Sequence, residues 1–310
     1  MMALALTVSA QVQAQEDGGL ADLKADMMAA MVHQDSIDTA SLMAVYDYEC
    51  HTQDADGKAV TDRMKLCLLV GQHCTRSFPY RKFRKEREWA EGKKQFAADF
   101  LGLKAREYLG GYDFFNEEEL PMLRSESYCM MPEVWTNYPE GKTTVRDAIP
   151  PTFYETQEAR RPINWTLTDD TVTISGYLCK TATCHLHGRQ WTVRYCEDIP
   201  TTAGPWKLCG LPGLIVAAET DGIHHFKLCE LQHATAPIYY ETSAITSKTS
   251  EEMLIKNRNK TFGNRLYLKD THYYITDLHA ADTAYGDDGW LINGVYVNDK
   301  AHVYQPLECK

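Results

Sequence analysis

The clearest metal-ligating pattern in the sequence is Cys184-His185-Leu186-His187-Gly188, where two histidines lie two residues apart. If this segment is a strand, alternation puts the imidazoles of His185 and His187 on one face, in a geometry that can chelate a borderline-soft ion. Against this, histidines at this spacing are more often surface residues, and the sequence has no CxxC or HExxH motif. Metal or thiol handling by His185, His187 and nearby cysteines is therefore an alternative interpretation, and we predict no cofactor.

Nucleophilic catalysis has little support in the sequence. There is no G-x-S-x-G elbow, no Ser-x-x-Lys motif and no cysteine in a recognisable catalytic setting. Distant residues can assemble a triad in any fold, so enzymatic activity stays open. The balance favours a protein that is not an enzyme, and no catalytic residue is predicted.

The composition favours an exported folded protein, and we expect no nucleic-acid partner. The chain of 310 residues is 44% hydrophobic and carries a formal charge of -11, which opposes a general attraction to polyanions. Its ten cysteines are many for a reducing cytosol and an even number, which favours disulfides in an oxidising compartment. Their connectivity stays open, because spacing does not show which cysteines meet.

The N-terminal residues MMALALTVSAQVQAQ resemble the apolar core and cleavage region of a signal peptide, although a basic start is missing. We therefore predict a signal peptide over 1–15 and one domain over 16–310. No later run approaches the roughly 18 apolar residues of a membrane span, so we expect no transmembrane segment in the mature chain.

The elements that must position any site are mainly strands. Short strand-like runs with turn signals between them occupy 41–70, where we predict a first hairpin, and 125–231, where one of the predicted strands covers 171–180. The absence of intervening helices favours an antiparallel sheet. Helices are predicted over 19–33, over Tyr80 to Tyr108, and from a capping box at Thr249-Ser250-Glu251-Glu252. The predicted fold is α+β, mostly antiparallel β: a curved sheet or half-barrel with a helical excursion packed against it.

The segment Gly210-Leu211-Pro212-Gly213-Leu214-Ile215 combines turn residues with apolar flanks. Proline presets φ at the second turn position and glycine allows positive φ at the third, so the sequence predicts a type II turn between two strands, 204–209 and 214–219. Gly210, Pro212 and Gly213 are thus explained as structural turn residues. Burial accounts for the apolar members, and no side chain remains for proton transfer.

With these residues in view, the chain resembles the GLPGLI family, a group of exported bacterial envelope proteins of unknown activity named after this motif. The resemblance extends to the blocks 165–171, 174–183, 188–195, 198–200 and 204–207 before the motif and to 221–226 and 304–308 after it. It is strongest from Val134 to Leu231. Three cysteines depart from the family pattern, because threonine or another non-cysteine residue is usual at their positions: Cys184, Cys196 and Cys209. Arg194 departs as well, because a second aromatic residue is usual there.

The resemblance implies a location and no reaction: an exported protein, periplasmic or associated with the outer envelope of a Gram-negative bacterium. We expect a non-catalytic binding or accessory protein with a cleft for a hydrophobic or peptide-like ligand or an envelope protein. Large aromatic residues on successive predicted strands are either the lining of this cleft or the core of the sheet. The candidate ligand-binding residues are Trp165, Tyr177, Arg189, Trp191 and Trp206.

Overall fold

The computed structural model describes residues 32–54, 56–90, 131–149, 152–243, 246–263, 284–286, 289–292, 295–297 and 302–309. The predicted signal peptide and the later part of the helix expected from Tyr80 to Tyr108 lie outside these residues. So does the helix expected over 19–33, apart from its last two residues, which begin the first strand.

Twelve strands form one large open sheet, which is not closed into a barrel. Their order is β12-β6-β5-β4-β3-β2-β1-β11-β10-β9-β8-β7, and every neighbouring pair is antiparallel except β12 with β6. The strands are β1 Val32–Gln53, β2 Ala59–Gly71, β3 Thr75–Pro79, β4 Glu133–Thr136, β5 Lys142–Ile149, β6 Thr152–Ala159, β7 Thr166–Ile174, β8 Tyr177–Leu186, β9 Arg189–Cys196, β10 Leu214–Thr220, β11 His224–Ser243 and β12 Thr246–Lys248. The predicted fold class is confirmed.

A small separate sheet of three antiparallel strands lies in the C-terminal region: β13 Ala284–Gly286, β14 Gly289–Ile292 and β15 Val295–Val297. The described residues also form two helices. The first, α1 Tyr80–Ala90, corresponds to the start of the predicted helical excursion, and the second, α2 Glu251–Gly263, begins one residue after the position that the capping box predicts.

The two faces of the large sheet are covered differently, as strand β1 shows. Its side chains alternate between faces, and Tyr46, Tyr48 and Cys50 point into the main core with Trp191 and Trp206. Met43 and Val45 point the other way, into a second core that Phe83 of α1 helps to fill. Further along β1, Asp47 and Glu49 also point away from the main core but remain partly exposed. We call the face that carries them the outer face.

Three hairpin connections of the sheet share one backbone pattern, although the third, between β10 and β11, has three residues instead of two. Ser175-Gly176, His187-Gly188 and Asp221-Gly222 each place two consecutive residues at positive φ, from 49° to 85°. This is the type I′ pattern, whose twist matches that of the flanking strands, and glycine adopts it without a Cβ clash. The first of these turns divides the single strand that the sequence predicts over 171–180 into β7 and β8.

The hexapeptide does not form the predicted type II turn. The Gly213 N–H donates to the carbonyl of Leu211 at 2.9 Å, and the Leu214 N–H donates to the carbonyl of Ile199 at 3.2 Å instead of closing the turn. The preceding residues 204–209 are not a strand, whereas β10 follows as expected. Burial of Leu211, Leu214 and Ile215 is confirmed, because each is at most 2% exposed.

No helix among the described residues combines the length and the apolar character that a membrane crossing requires.

Candidate functional site

His187 lies beside two carboxylates that come from distant parts of the chain. Its Nε2 is 3.8 Å from an oxygen of Glu251, at the start of α2, and its Nδ1 is 3.7 Å from an oxygen of Glu308 in the C-terminal segment 302–309. One ligand atom from each residue lies within 4.8 Å of the others. An imidazole and two carboxylates form a donor set that a divalent ion can use.

The ammonium group of Lys207 already bridges these two carboxylates. Its Nζ lies 2.8 Å from Glu251 Oε1 and 2.9 Å from Glu308 Oε1, and the side chain is buried. Burial by itself would raise the pKa of Glu251, but Lys207 and His187 hold that pKa below its ordinary value. Lys207 thus pairs with both carboxylates, and the cluster joins α2 and the C-terminal segment to the β8–β9 turn.

His185 does not belong to this cluster. It is exposed near the end of β8, whereas His187 has left the strand and adopts a φ of 49° in the turn. Strand alternation therefore does not place the two imidazoles on one face, because His187 lies beyond the end of the strand.

Arg189 is buried and binds the C-terminal segment. Its Nε donates to the carbonyl of Pro306 at 2.9 Å, and its Nη1 lies 2.6 Å from Asp221 Oδ2. The same carbonyl is 3.3 Å from His224 Nε2, whose other ring nitrogen is 2.8 Å from the hydroxyl of Tyr48. Since a carbonyl only accepts, Nε2 carries the proton and Nδ1 accepts from Tyr48. Burial, assisted by the Arg189 charge, lowers the pKa of His224 to about 3, so this histidine is neutral.

The four candidate aromatics pack in or against the main core. Trp191 is 0% and Trp206 1% exposed, and their ring centroids are 5.5 Å apart. Trp165 is partly buried and donates its indole N–H to the carbonyl of Cys209 at 3.0 Å, and Tyr177 is partly buried against the same core. In this arrangement the face that carries these rings is filled.

The nine cysteines of the described residues are all free thiols. Burial raises the pKa of Cys50, Cys74 and Cys184 to about 12, so these side chains are protonated and behave as small apolar residues. The described part of the chain therefore gives no support to the expected disulfides. Cys129, the tenth cysteine, lies outside the described residues.

An open groove of about 770 Å³ lies on the outer face, and neither the His187 cluster nor the candidate aromatics contribute to its lining. Strands β1, β9, β10 and β11 form its floor, and the tip of the β7–β8 hairpin, Val172 to Ser175, forms one wall. The hydroxyl of Ser175 is 3.4 Å from the carbonyl of Leu228, which places this tip against β11. We call this space the outer groove.

Two parallel rows of side chains cross the floor of the outer groove. The first, the acidic row, is Glu49, His225 and Glu219, which are direct cross-strand neighbours on β1, β11 and β10. His225 Nδ1 is 3.8 Å from Glu219, and the ring of His51 lies 4.5 Å from that of His225. Hydrogen bonding from Arg63 at 2.8 Å lowers the pKa of Glu49 and keeps it charged.

The second row, the basic row, is Asp47, Lys227, Ala217 and Arg194, again direct neighbours on four adjacent strands. It lies two residues along the strands from the acidic row, a separation of roughly 7 Å. Asp47 is neutralised by Lys65, whose Nζ is 2.6 Å from Oδ1. The outer groove thus presents carboxylates and imidazoles along one row and cations along the next.

Sequence reasoning did not single out the outer groove as a site. None of its lining residues is among the candidate ligand-binding residues, although Arg194 was noted for replacing a usual aromatic residue. A usable signal is the alternation in Tyr46-Asp47-Tyr48-Glu49-Cys50-His51, which separates an apolar face from a polar face. That pattern does not show whether the polar face meets open solvent or a groove.

These observations define a mostly antiparallel α+β protein with an open polar groove on the outer face. No protein-family model matches the chain, and no curated protein matches it significantly. Two solved structures of PNGF-II, in P21 and C2 space groups, are similar with TM-scores of 0.44 and 0.40, each at 12% identity. The matches cover 72% and 70% of this chain, which spans about a third of the PNGF-II chain (34% and 33%). Similarity at this level carries no argument about function.

Proposed function

We propose that this protein is an exported, non-catalytic binding protein of the bacterial cell envelope and that the outer groove is its ligand site. The observation that carries the proposal is the contrast between the two faces of the sheet. The face with Trp191 and Trp206 is filled by core side chains, whereas the outer groove is open and about 770 Å³ in volume. A space of this size is typical of sites for small ligands.

The lining supports a peptide-like ligand over a purely hydrophobic one. Carboxylates and cations stand in separate rows, and the lining also includes the hydroxyl residues Thr173, Ser175 and Thr192 and the apolar residues Val172 and Ile174. A short peptide carries an ammonium, a carboxylate and backbone amides within a few ångströms of one another. It can therefore satisfy both rows, whereas an apolar ligand would leave buried charges without partners.

The cellular part of the proposal is supported by the resemblance to the GLPGLI family. A full-length chain with a C-terminal tag, expressed in a Gram-negative host, is expected in the periplasmic or outer-membrane fraction, with its N-terminus shortened close to residue 15. A full-length product that stays in the cytosol would contradict the export proposal.

Binding can be tested by native mass spectrometry with a mixture of tripeptides randomised at all three positions. We expect the protein to retain peptides in a one-to-one complex. Thr192→Trp, on the groove floor, should abolish this binding because the indole fills the space. Thr171→Trp is the matched control, since Thr171 is exposed on β7 but does not line the groove.

Circular dichroism and thermal unfolding of both variants show whether each is folded. Peptide retention that is lost only in Thr192→Trp supports the outer groove as the site. Retention that survives in a folded Thr192→Trp variant, or no retention by the wild-type protein, overturns the proposal.

A second candidate function is metal binding at His187, Glu251 and Glu308, which the mutual approach of their ligand atoms favours. The ammonium of Lys207 would have to leave for an ion to enter. Zinc titration by calorimetry tests this: stoichiometric binding should be lost in His187→Ala and kept in His185→Ala. Absence of zinc binding by the wild-type protein would exclude the metal function.

A further inference from the structure

The basic row of the outer groove contains two cations on either side of a very small residue. In the strand register, Ala217 of β10 pairs with Arg194 of β9 on one side and with Lys227 of β11 on the other. Adjacent strands are about 4.8 Å apart, so the Cα atoms of Arg194 and Lys227 are roughly 10 Å apart with only a methyl group between them. Two long cationic side chains can converge over such a gap on one small anion.

Neither cation is neutralised by the described residues. Within the part of the chain that the structure describes, Arg194 and Lys227 form no ion pair, and Arg194 makes a long hydrogen bond of 3.4 Å to the carbonyl of Val193. The acidic neighbour in the row, Asp47, is engaged by Lys65 at 2.6 Å. This is unusual in a chain of net charge -11, where carboxylates are in excess.

The nearest row does not supply the missing counter-charge either. Glu49 accepts from Arg63 at 2.8 Å, and Glu219 faces His225 at 3.8 Å. Among the described residues, neither carboxylate forms an ion pair with Arg194 or Lys227. The two cations are left facing the open volume, where a planar oxyanion can accept from the Arg194 guanidinium and pair with the Lys227 ammonium.

We propose that Arg194, Ala217 and Lys227 form a carboxylate subsite that binds the C-terminal carboxylate of a short peptide. This inference rests on the proposed function, because it concerns the same groove. It fixes the direction of the ligand, whose carboxylate lies over Ala217 and whose remainder extends toward the acidic row. The small side chain of Ala217 is what gives the anion room between the cations.

The experiment compares one tripeptide mixture with free C-terminal carboxylates and the same mixture with C-terminal amides, both titrated against the wild-type protein. Loss of the carboxylate removes charge-assisted hydrogen bonds, so we expect the amides to bind about tenfold more weakly or worse. Binding of the free acids should also weaken in about 1 M salt, where charges are screened beyond roughly 3 Å.

Variants test whether Arg194 and Lys227 cause the preference for the free acid. Arg194→Gln and Lys227→Gln should each reduce the preference for the free acid over the amide, and the double variant should abolish it. Arg194→Lys, which keeps the charge but loses the planar fork, should retain part of the preference. The control is Lys180→Gln, since Lys180 is paired with Glu197 at 2.8 Å and does not line the groove.

The outcomes separate this inference from the proposed function. Equal binding of acids and amides to the wild-type protein overturns the carboxylate subsite while leaving the groove as the binding site. An acid preference that persists in the folded double variant also overturns it. Failure of both mixtures to bind overturns the proposed function and the subsite together, whereas an acid preference lost only in the Arg194 and Lys227 variants supports both.

Discussion

Position 213 requires glycine because the backbone at Cys196 and Glu197 leaves no room for a Cβ atom. A Cβ atom at this position would lie 2.2 Å from the carbonyl oxygen of Cys196 and 2.8 Å from the amide nitrogen of Glu197. Because both are backbone atoms, no side-chain rotation can relieve the contact, and β9 and β10 would have to separate. In the hexapeptide Gly210 to Ile215, Gly213 is thus required for close packing of the chain.

Substitution of this glycine should be far more costly than substitution of a glycine in an open turn. We expect Gly213→Ala to lower the free energy of unfolding by about 3 kcal/mol through overpacking. Gly57→Ala should cost about 1 kcal/mol, since Gly57 has a φ of 80° but a Cβ atom added there would meet nothing within 4 Å. Urea unfolding of both variants measures the difference, and equal losses would refute the packing explanation.

Asp38 provides a stability contribution that depends on pH. Its Oδ2 accepts from the N–H groups of His73 at 2.7 Å and Cys74 at 3.0 Å, and its Oδ1 accepts from Thr39 at 2.8 Å. Partial burial opposes ionisation, but these hydrogen bonds hold the pKa of Asp38 below its ordinary value of 3.8. A lowered folded-state pKa means that the contribution is full above about pH 4 and disappears as pH falls through the folded-state pKa.

Asp38→Ala should therefore destabilise the protein by about 1–3 kcal/mol at pH 7. The difference from the wild-type protein should shrink as pH falls below 3.8, where the unfolded chain already carries a protonated aspartate. Urea unfolding at a series of pH values measures this. Asp198→Ala, at an exposed position, is the control, and a loss that does not change with pH would contradict the hydrogen-bond account.

At the scale of elements, helix α2 begins one residue later than the capping-box pattern suggests. The pattern admits Thr249 as the N-cap, but the hydroxyl of Ser250 accepts from the Met253 N–H at 3.3 Å. The Leu254 N–H donates to the Ser250 carbonyl at 2.9 Å, which makes Ser250 the first residue in the helical hydrogen-bond series. Thr249 is still extended, and its N–H bonds the carbonyl of Glu155 in β6 at 2.9 Å.

Ser250→Ala should lower the free energy of unfolding by about 1 kcal/mol, because it leaves the Met253 N–H without its side-chain acceptor. Thr249→Ala is the matched control and should have a smaller effect, since the hydrogen bond of Thr249 is made by its backbone. Thermal unfolding of the two variants decides between the two caps. A larger loss in Thr249→Ala would assign the cap to Thr249.

At the scale of the whole molecule, the reactivity of each cysteine thiol depends on whether the fold buries it. Among the nine described cysteines, Cys229 and Cys309 are exposed and Cys209 is partly exposed, while the other six are buried. In the folded protein at pH 8, iodoacetamide should modify Cys229 and Cys309 first. Burial keeps Cys50, Cys74 and Cys184 protonated up to a pKa of about 12, so raising the pH to 9 should not expose them to alkylation.

Unfolding in urea without a reductant should make all nine described cysteines reactive, as read by site-resolved mass spectrometry. A described cysteine that reacts only after reduction would show a disulfide and contradict the free-thiol arrangement. Such a result would support the disulfides that the cysteine count predicts.

The extent to which the sequence predicts this structure varies with the range of the interaction. The β1–β2 hairpin, the start of α2 and the burial of Leu211, Leu214 and Ile215 follow from alternation, capping and hydrophobicity. The Ser175-Gly176 turn and the geometry of Pro212-Gly213 were predicted incorrectly. A single small dipeptide is a weak turn signal in a long strand-like run, and contacts with Ile199 replaced the bond that a type II turn needs.

The candidate site shows the same division. The sequence by itself determines that Asp47, Glu49 and His51 share one face of a strand and that Tyr46, Tyr48 and Cys50 share the other, because side chains alternate. Only the tertiary structure decides what covers each face. Trp191 and Trp206 meet in a filled core, and Arg194, Ala217 and Lys227 meet in an open groove, because strand register and the fold of the β7–β8 hairpin bring together segments that are distant in the chain.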